Sequence, residues 1–129
     1  MNYLSPEEIV AIHDEIIVAT SGSLGLRESG LLEAIAAKPQ ASFGGQELYP
    51  DLFIKAAALY EAVCNYHVFI DGNKRTAVIT LYRFLVINGY DLSATNLQLE
   101  TETLLIVKQK PGLADIAIWI SEHTRAIKQ

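Results

Sequence analysis

Apolar residues recur along this chain at the three-to-four-residue spacing of helices, and few segments show the strict alternation of strands. The first such stretch opens at Ser5-Pro6-Glu7-Glu8. Ser5 is placed to cap, proline fits the first helical position and Glu8 completes a capping box. Ile9, Ile12, Ile16 and Ile17 then line one face, and the helix should fade near Ala19, before a loop over Ser21–Gly25. A short second helix is predicted from Ser29 to Ala37, with Leu31, Leu32 and Ile35 inward and Pro39 ending it. Pro39 to Pro50, with Gly44-Gly45 between Phe43 and Tyr49, reads as a loop.

The next two helices are of a different kind. Asp51 to Tyr66 is apolar on most sides, through Leu52, Phe53, Ala56, Ala57, Leu59, Tyr60, Val63 and Cys64. Asn73 to Asn88 turns Ala77, Val78, Leu81, Phe84 and Leu85 inward and stops at Gly89. Helices hydrophobic nearly all round are buried, so these two belong at the centre, joined by the turn from His67 to Asn73. Thr95 and Gln98 form a second capping box and open a fifth helix to about Lys108, carrying Leu97, Leu104, Leu105 and Val107. After the Pro111-Gly112 break a last helix is expected from about Leu113 to Ala126, packing Ile116, Trp119 and Ile120. The predicted class is all-α, a bundle of about six helices forming one domain over residues 1–129.

Composition narrows the function. Half of the residues are hydrophobic, enough for one sizeable core without staples. The net charge of −5 argues against a general nucleic-acid surface, which needs clustered basic charge, so no direct nucleic-acid partner is expected. No apolar run reaches the ~18 residues of a membrane span, and the first residues lack a basic region ahead of an apolar stretch. Neither a membrane partner nor a secretory signal is expected. Cys64 stands alone, so no intrachain disulfide can form and a reducing cytoplasm is the expected setting, with the thiol a small core residue. His13, beside inward Ile12, reads as a hydrogen-bonded structural residue. No histidine has metal-ligand spacing to another histidine or to the cysteine.

The chemistry concentrates in His67-Val68-Phe69-Ile70-Asp71-Gly72-Asn73-Lys74-Arg75-Thr76-Ala77. A helix start offers unpaired backbone N–H groups and the positive end of the helix dipole. Lys74 and Arg75 add cationic donors, Asp71 can hold a magnesium ion, and His67 can take a proton near neutral pH. Phe69 is expected to plug the turn into the core, and Thr76 faces the helix start within reach of phosphate. The bland alternative is a capped turn with a solvated basic face. Against it, basic residues at a helix N-terminus oppose the dipole, by about 0.3–1 kcal/mol each.

This stretch resembles the signature of the Fic superfamily, and most closely its Doc ("death on curing") branch. Fic proteins that transfer AMP usually carry His-Pro-Phe-x-x-Gly-Asn-Gly-Arg-x-x-Arg. His67, Phe69, Gly72, Asn73 and Arg75 match, and Asp71 is an allowed acid. Val68 stands for the proline, Lys74 for the second glycine and Val78 for the final arginine. The lysine and the lost arginine are what the Doc branch shows, and Asn88-Gly89-Tyr90 also sits where the family has it. The resemblance implies a compact Fic/Doc-like helical bundle and a flap, here Phe43 to Tyr49, that aligns a target peptide as an added strand. On its residues alone that segment is a connecting loop.

The resemblance further implies the toxin of a type II toxin–antitoxin pair. It would be a kinase that uses ATP and Mg²⁺ to phosphorylate a Ser or Thr hydroxyl on elongation factor Tu. His67 would be general base, Asp71 the metal ligand, and Gly72, Asn73, Lys74 and Arg75 the phosphate holders, with Arg75 also stabilising transition-state charge. Two alternatives stay open: a Fic-type AMP transferase, and a non-catalytic binding module that keeps the turn. Fic proteins are often silenced by a helix bearing Ser/Thr-x-x-x-Glu-Gly/Asn. The nearest stretch here, Ser29 to Glu33, is followed by Ala34, so silencing in trans by the tail of a Phd-like antitoxin is expected.

Overall fold

Side-chain caps set where α1, α3 and α5 begin in the structure, a computed structural model that describes residues 1–128. Helix α1 (Pro6–Thr20) starts under Ser5, whose hydroxyl accepts from the Glu8 N–H while the Glu8 carboxylate accepts from the Ser5 N–H. Helix α2 (Ser29–Ala37) runs into a 3₁₀ turn at Lys38–Gln40. Asp51 caps α3 (Leu52–Asn65) by accepting from the Ile54 N–H. Helix α4 (Asn73–Ile87) follows, then α5 (Asn96–Gln109) under the Thr95–Gln98 box, and α6 (Leu113–Glu122). Six helices, all-α, is the class the hydrophobic spacing predicts.

Helix α3 is the axis of the molecule. Its residues from Ala56 to Cys64, Glu61 apart, are almost wholly buried, and it packs against α4 on one side and α6 on the other. The small residues Ala56, Ala57, Ala58 and Ala62 let those neighbours approach closely, while Leu81, Phe84, Leu85, Ile106, Ile116 and Ile120 fill the space around them. Helix α1 lies against α4, with Ile9 and Ile17 facing in. Among the described residues no helix is long and apolar enough to cross a membrane.

Two short antiparallel pairs depart from the helical pattern. Within the segment read as a loop, β1 (Ser42–Phe43) pairs with β2 (Gln46–Glu47). Gly44 and Gly45 both have positive φ, 60° and 82°, as the tightest hairpin turn requires. The second pair corrects the last helix. It ends at Glu122 rather than Ala126, and Thr124–Ala126 forms β4, paired with β3 (Tyr90–Leu92). The physical reason lies in side chains that close the helix early. The His123 Nδ1 donates to the Trp119 carbonyl at 2.7 Å, and the hydroxyls of Ser121 and Thr124 bond back to the carbonyls of Ile118 and Ser121. The Asn88-Gly89 stop meanwhile offers an open strand edge.

Candidate active site

The turn between α3 and α4 is held from three sides. Tyr66 ends α3, and His67 takes a left-handed backbone conformation, φ 51°, uncommon for a residue with a Cβ and a frequent mark of functional sites. Val68 and Phe69 are buried, so the chain is anchored immediately after the histidine. On one side the loop after α1 pairs with the turn. The Arg27 N–H donates to the Val68 carbonyl at 2.7 Å and the Ile70 N–H to the Gly25 carbonyl at 3.1 Å, with Leu26 bridged to Phe69. On the second side α1 supplies His13, wholly buried. Its ring stacks on Phe69, centroids 3.8 Å apart and 6° from parallel, and its Nε2 donates to the Asp71 carbonyl at 2.7 Å. On the third, Asn73 reaches back: its amide donates to the Phe69 carbonyl and accepts from the Phe69 N–H.

Helix α4 therefore starts in a fixed place, and it starts uncapped. Gly72, φ 78°, occupies the N-cap position with no side chain to bond the first N–H groups, unlike Ser5, Asp51 and Thr95 at α1, α3 and α5. The first intrahelical bond runs from the Thr76 N–H to the Gly72 carbonyl, which leaves the preceding N–H groups for an anion. Lys74 and Arg75 are exposed there, and among the described residues neither is paired with a carboxylate. His67, Asp71, Gly72, Asn73, Lys74 and Arg75 all line one open cavity of about 570 Å³. The structure thus brings these six residues to one place. A second hollow of about 760 Å³, walled by Val78, Ile79, Leu99 and Leu104, adjoins it and shares Ile16, Lys74 and Arg75.

Asp71 is the acid of this cavity. Its Oδ1 accepts from the Gly72 N–H at 2.9 Å and its Oδ2 from the Ser23 N–H at 3.3 Å. Both oxygens keep lone pairs and the residue is exposed. Among the described residues no three acids, histidines or cysteines cluster as a metal cage. A magnesium ion would be held by this carboxylate together with phosphate oxygens and water, the usual arrangement for that ion, and the exposed carboxylate fits it. Cys64 also borders the cavity, but burial first, with Glu61 and Glu102 adding to it, pushes its thiol up to about 12. It is a core residue and no nucleophile.

Thr76 corrects the expectation of a phosphate contact. It is wholly buried, and among the described residues its hydroxyl has no hydrogen-bond partner; one turn into α4 it faces the core. The loop over Ser21–Gly25 lies where the sequence places it, but its contact with Asp71 was not foreseen. A Cβ on Gly22 would lie 2.7 Å from the Asp71 Oδ2 and 3.0 Å from the Ile17 Cδ1, so a larger residue there would push the acid from its present position. His13, read as structural, is so, and what it supports is the motif turn itself.

A family model described as the Fic/DOC family matches residues 3–85, a span that contains α1, the loop after it, α3, the motif turn and all but the end of α4. The chain is similar to a protein named Toxin Doc from Mycolicibacterium smegmatis, 42% identical over 92 residues, 71% of this chain and 68% of that one. It is also similar to one named Protein kinase doc from Escherichia phage P1, 39% identical over 89 residues, 69% of this chain and 70% of that one. Family model, relatives and the geometry of the turn agree: the chain belongs to the Fic/DOC family.

Proposed function

We propose that this chain is a Doc-type toxin of a type II toxin–antitoxin pair, a protein kinase that uses Mg-ATP to phosphorylate a Ser or Thr hydroxyl of elongation factor Tu and so stops translation in the cytoplasm. The observation that carries the reading is the cationic pair Lys74-Arg75, unpaired at the uncapped start of α4 and beside His67 and Asp71 in one cavity. A relative named Protein kinase doc and one named Toxin Doc support the reaction and the role.

In this reading His67 takes the proton of the target hydroxyl as its oxygen attacks the γ-phosphorus of ATP. The bond from that phosphorus to the bridging oxygen breaks, and ADP leaves. The α4 N–H groups, Lys74 and the forked guanidinium of Arg75 hold the phosphate oxygens and balance their charge in the loose transition state. Asp71 would hold magnesium, which when bound neutralises phosphate charge. The side chain of Asn73 acts through the shape of the turn, since both ends of its amide are bonded to Phe69. The hollow between α1, α4 and α5 suits the apolar face of an antitoxin tail that folds on binding, laid beside the phosphate site, which supports silencing in trans by a Phd-like partner.

The test mixes the chain with purified elongation factor Tu and ATP labelled on either the α- or the γ-phosphate, with the His67→Ala chain as blank. Label from the γ position and a mass gain of one phosphate, both reduced about 10²–10⁴-fold in the blank, are expected. Label from the α position would replace this reading with AMP transfer. No transfer to any protein of a bacterial extract would reduce the chain to a binding module.

A further inference from the structure

Helix α3 ends in a conformation that its residue disfavours. Tyr66 closes the helix with an N–H bond to the Ala62 carbonyl, and His67 follows in the left-handed region, φ 51°. Helices commonly stop this way, but the left-handed position is usually glycine, because a Cβ is crowded there. A histidine keeps such a backbone only where its surroundings hold it from both sides. Relaxed to the right-handed region, His67 would lengthen α3 and carry its imidazole out of its place in the cavity.

The core holds the downstream side. Val68 and Phe69 are buried, and the Val68 carbonyl accepts from the Arg27 N–H at 2.7 Å. The upstream side depends on Tyr66, which is only half-buried. Among the described residues one hydrogen bond reaches it from outside α3: the Lys38 Nζ donates to its hydroxyl at 3.1 Å. Burial of Lys38 works against its charge, and the Tyr66 bond, with Tyr49 and Glu61 nearby, more than offsets it, so its pKa stands above the ordinary 10.5. The donor is therefore a charged ammonium, which makes the stronger kind of hydrogen bond. Its footing is firm. Lys38 sits in the 3₁₀ turn, where its carbonyl accepts from the Ala41 N–H at 3.0 Å and the next residue, Pro39, is buried. The Pro39 carbonyl accepts in turn from the Nζ of Lys55 at 2.8 Å, a buried lysine of α3 that also bonds the Glu47 carboxylate.

We propose that Lys38 is a positioning residue for the general base: through the Tyr66 hydroxyl it fixes the end of α3, so that His67 keeps the left-handed turn that presents its imidazole to the cavity. This rests on the kinase reading above and deepens it, because it gives His67 a support outside the signature motif. Neither Lys38 nor Tyr66 lines the phosphate cavity. The pair therefore acts on the rate through His67 and leaves the binding of nucleotide and target alone.

The experiment measures γ-phosphate transfer to purified elongation factor Tu while target and ATP are varied separately. The chains are the parent, Lys38→Met, Tyr66→Phe and the double variant. In each single variant kcat should fall about tenfold, within the range that a small misplacement of a reacting group produces. KM for ATP and for the target should stay within about twofold, since the loss is confined to the chemical step. The double variant should lose no more than either single one, because both break the same bond. The coupling between the amide and α protons of His67, which reports φ, should shift in all three. Tyr66→Phe removes a hydroxyl alone and decides the matter if Lys38→Met fails to fold. An unchanged kcat in Tyr66→Phe overturns the inference while the kinase reading survives. So do losses that multiply in the double variant, a parallel rise in KM for ATP, or a slower chain whose His67 coupling has not moved. If the parent chain labels nothing, the kinase reading falls and this inference falls with it.

Discussion

Gly22 and Asp71 lie far apart in the sequence and touch in the fold, and their contact sets where the only acid of the candidate site points. The Asp71 carboxylate is held by two N–H groups, one from its own turn and one from Ser23. A methyl group on Gly22 would enter the space of the Oδ2. The obstacle is the end of a flexible side chain rather than backbone, so the fold can yield by turning the carboxylate away. Gly22→Ala should then change stability by less than about 1 kcal/mol, yet reduce phosphate transfer about tenfold or more, since a displacement of about an ångström at a reacting centre has effects of that size. The magnesium concentration for half-maximal rate should rise. Equal rates and equal magnesium dependence in parent and variant would show that the placement of Asp71 is not critical.

Between elements, the long-range ties decide what the sequence could reveal. The capping boxes at Ser5–Glu8 and Thr95–Gln98, and the run His67–Arg75, are local signals and were legible directly, as was the buried character of α3 and α4. The hairpin at 42–47 was not, because two-residue strands carry no periodicity. Lys55 was invisible for a related reason, since its acceptors belong to another segment. The end of α6 depended on a strand edge more than thirty residues earlier. His13 belongs with these. Its stacking on Phe69 and its bond to the Asp71 carbonyl join α1 to the motif turn. His13→Phe keeps the stacked ring and removes the donor, leaving a carbonyl of the turn unpaired. The chain should fold with stability lowered by about 1–3 kcal/mol in urea titration, and transfer should fall in parallel. Undiminished transfer in the variant would show that the turn holds its shape without α1.

For the molecule as a whole, acidity is a matter of distribution. The net charge is −5, yet among the described residues Lys74 and Arg75 at the cavity pair with no carboxylate, so the site is a local basic island on an otherwise acidic body, as the proposed phosphate site requires. One acid lies inside that body. Glu102 on α5 is 8% exposed. Burial raises its pKa above 4.5, and the His123 imidazole only partly opposes this. The folded chain then binds this proton more tightly than the unfolded chain does. The stability tied to it is complete below pH 4.5 and is lost as pH rises through the higher folded value. Holding this carboxylate charged in the folded chain costs stability, and His123 offsets that cost in part. Glu102→Gln keeps the shape and removes the charge, so it should melt above the parent at pH 7. The gap should close as pH falls below about 4.5, where both side chains are neutral. Thermal melts of the two chains from pH 3.5 to 8 measure this directly. A parent that melts higher at pH 7 would mean that the attraction of His123 outweighs burial.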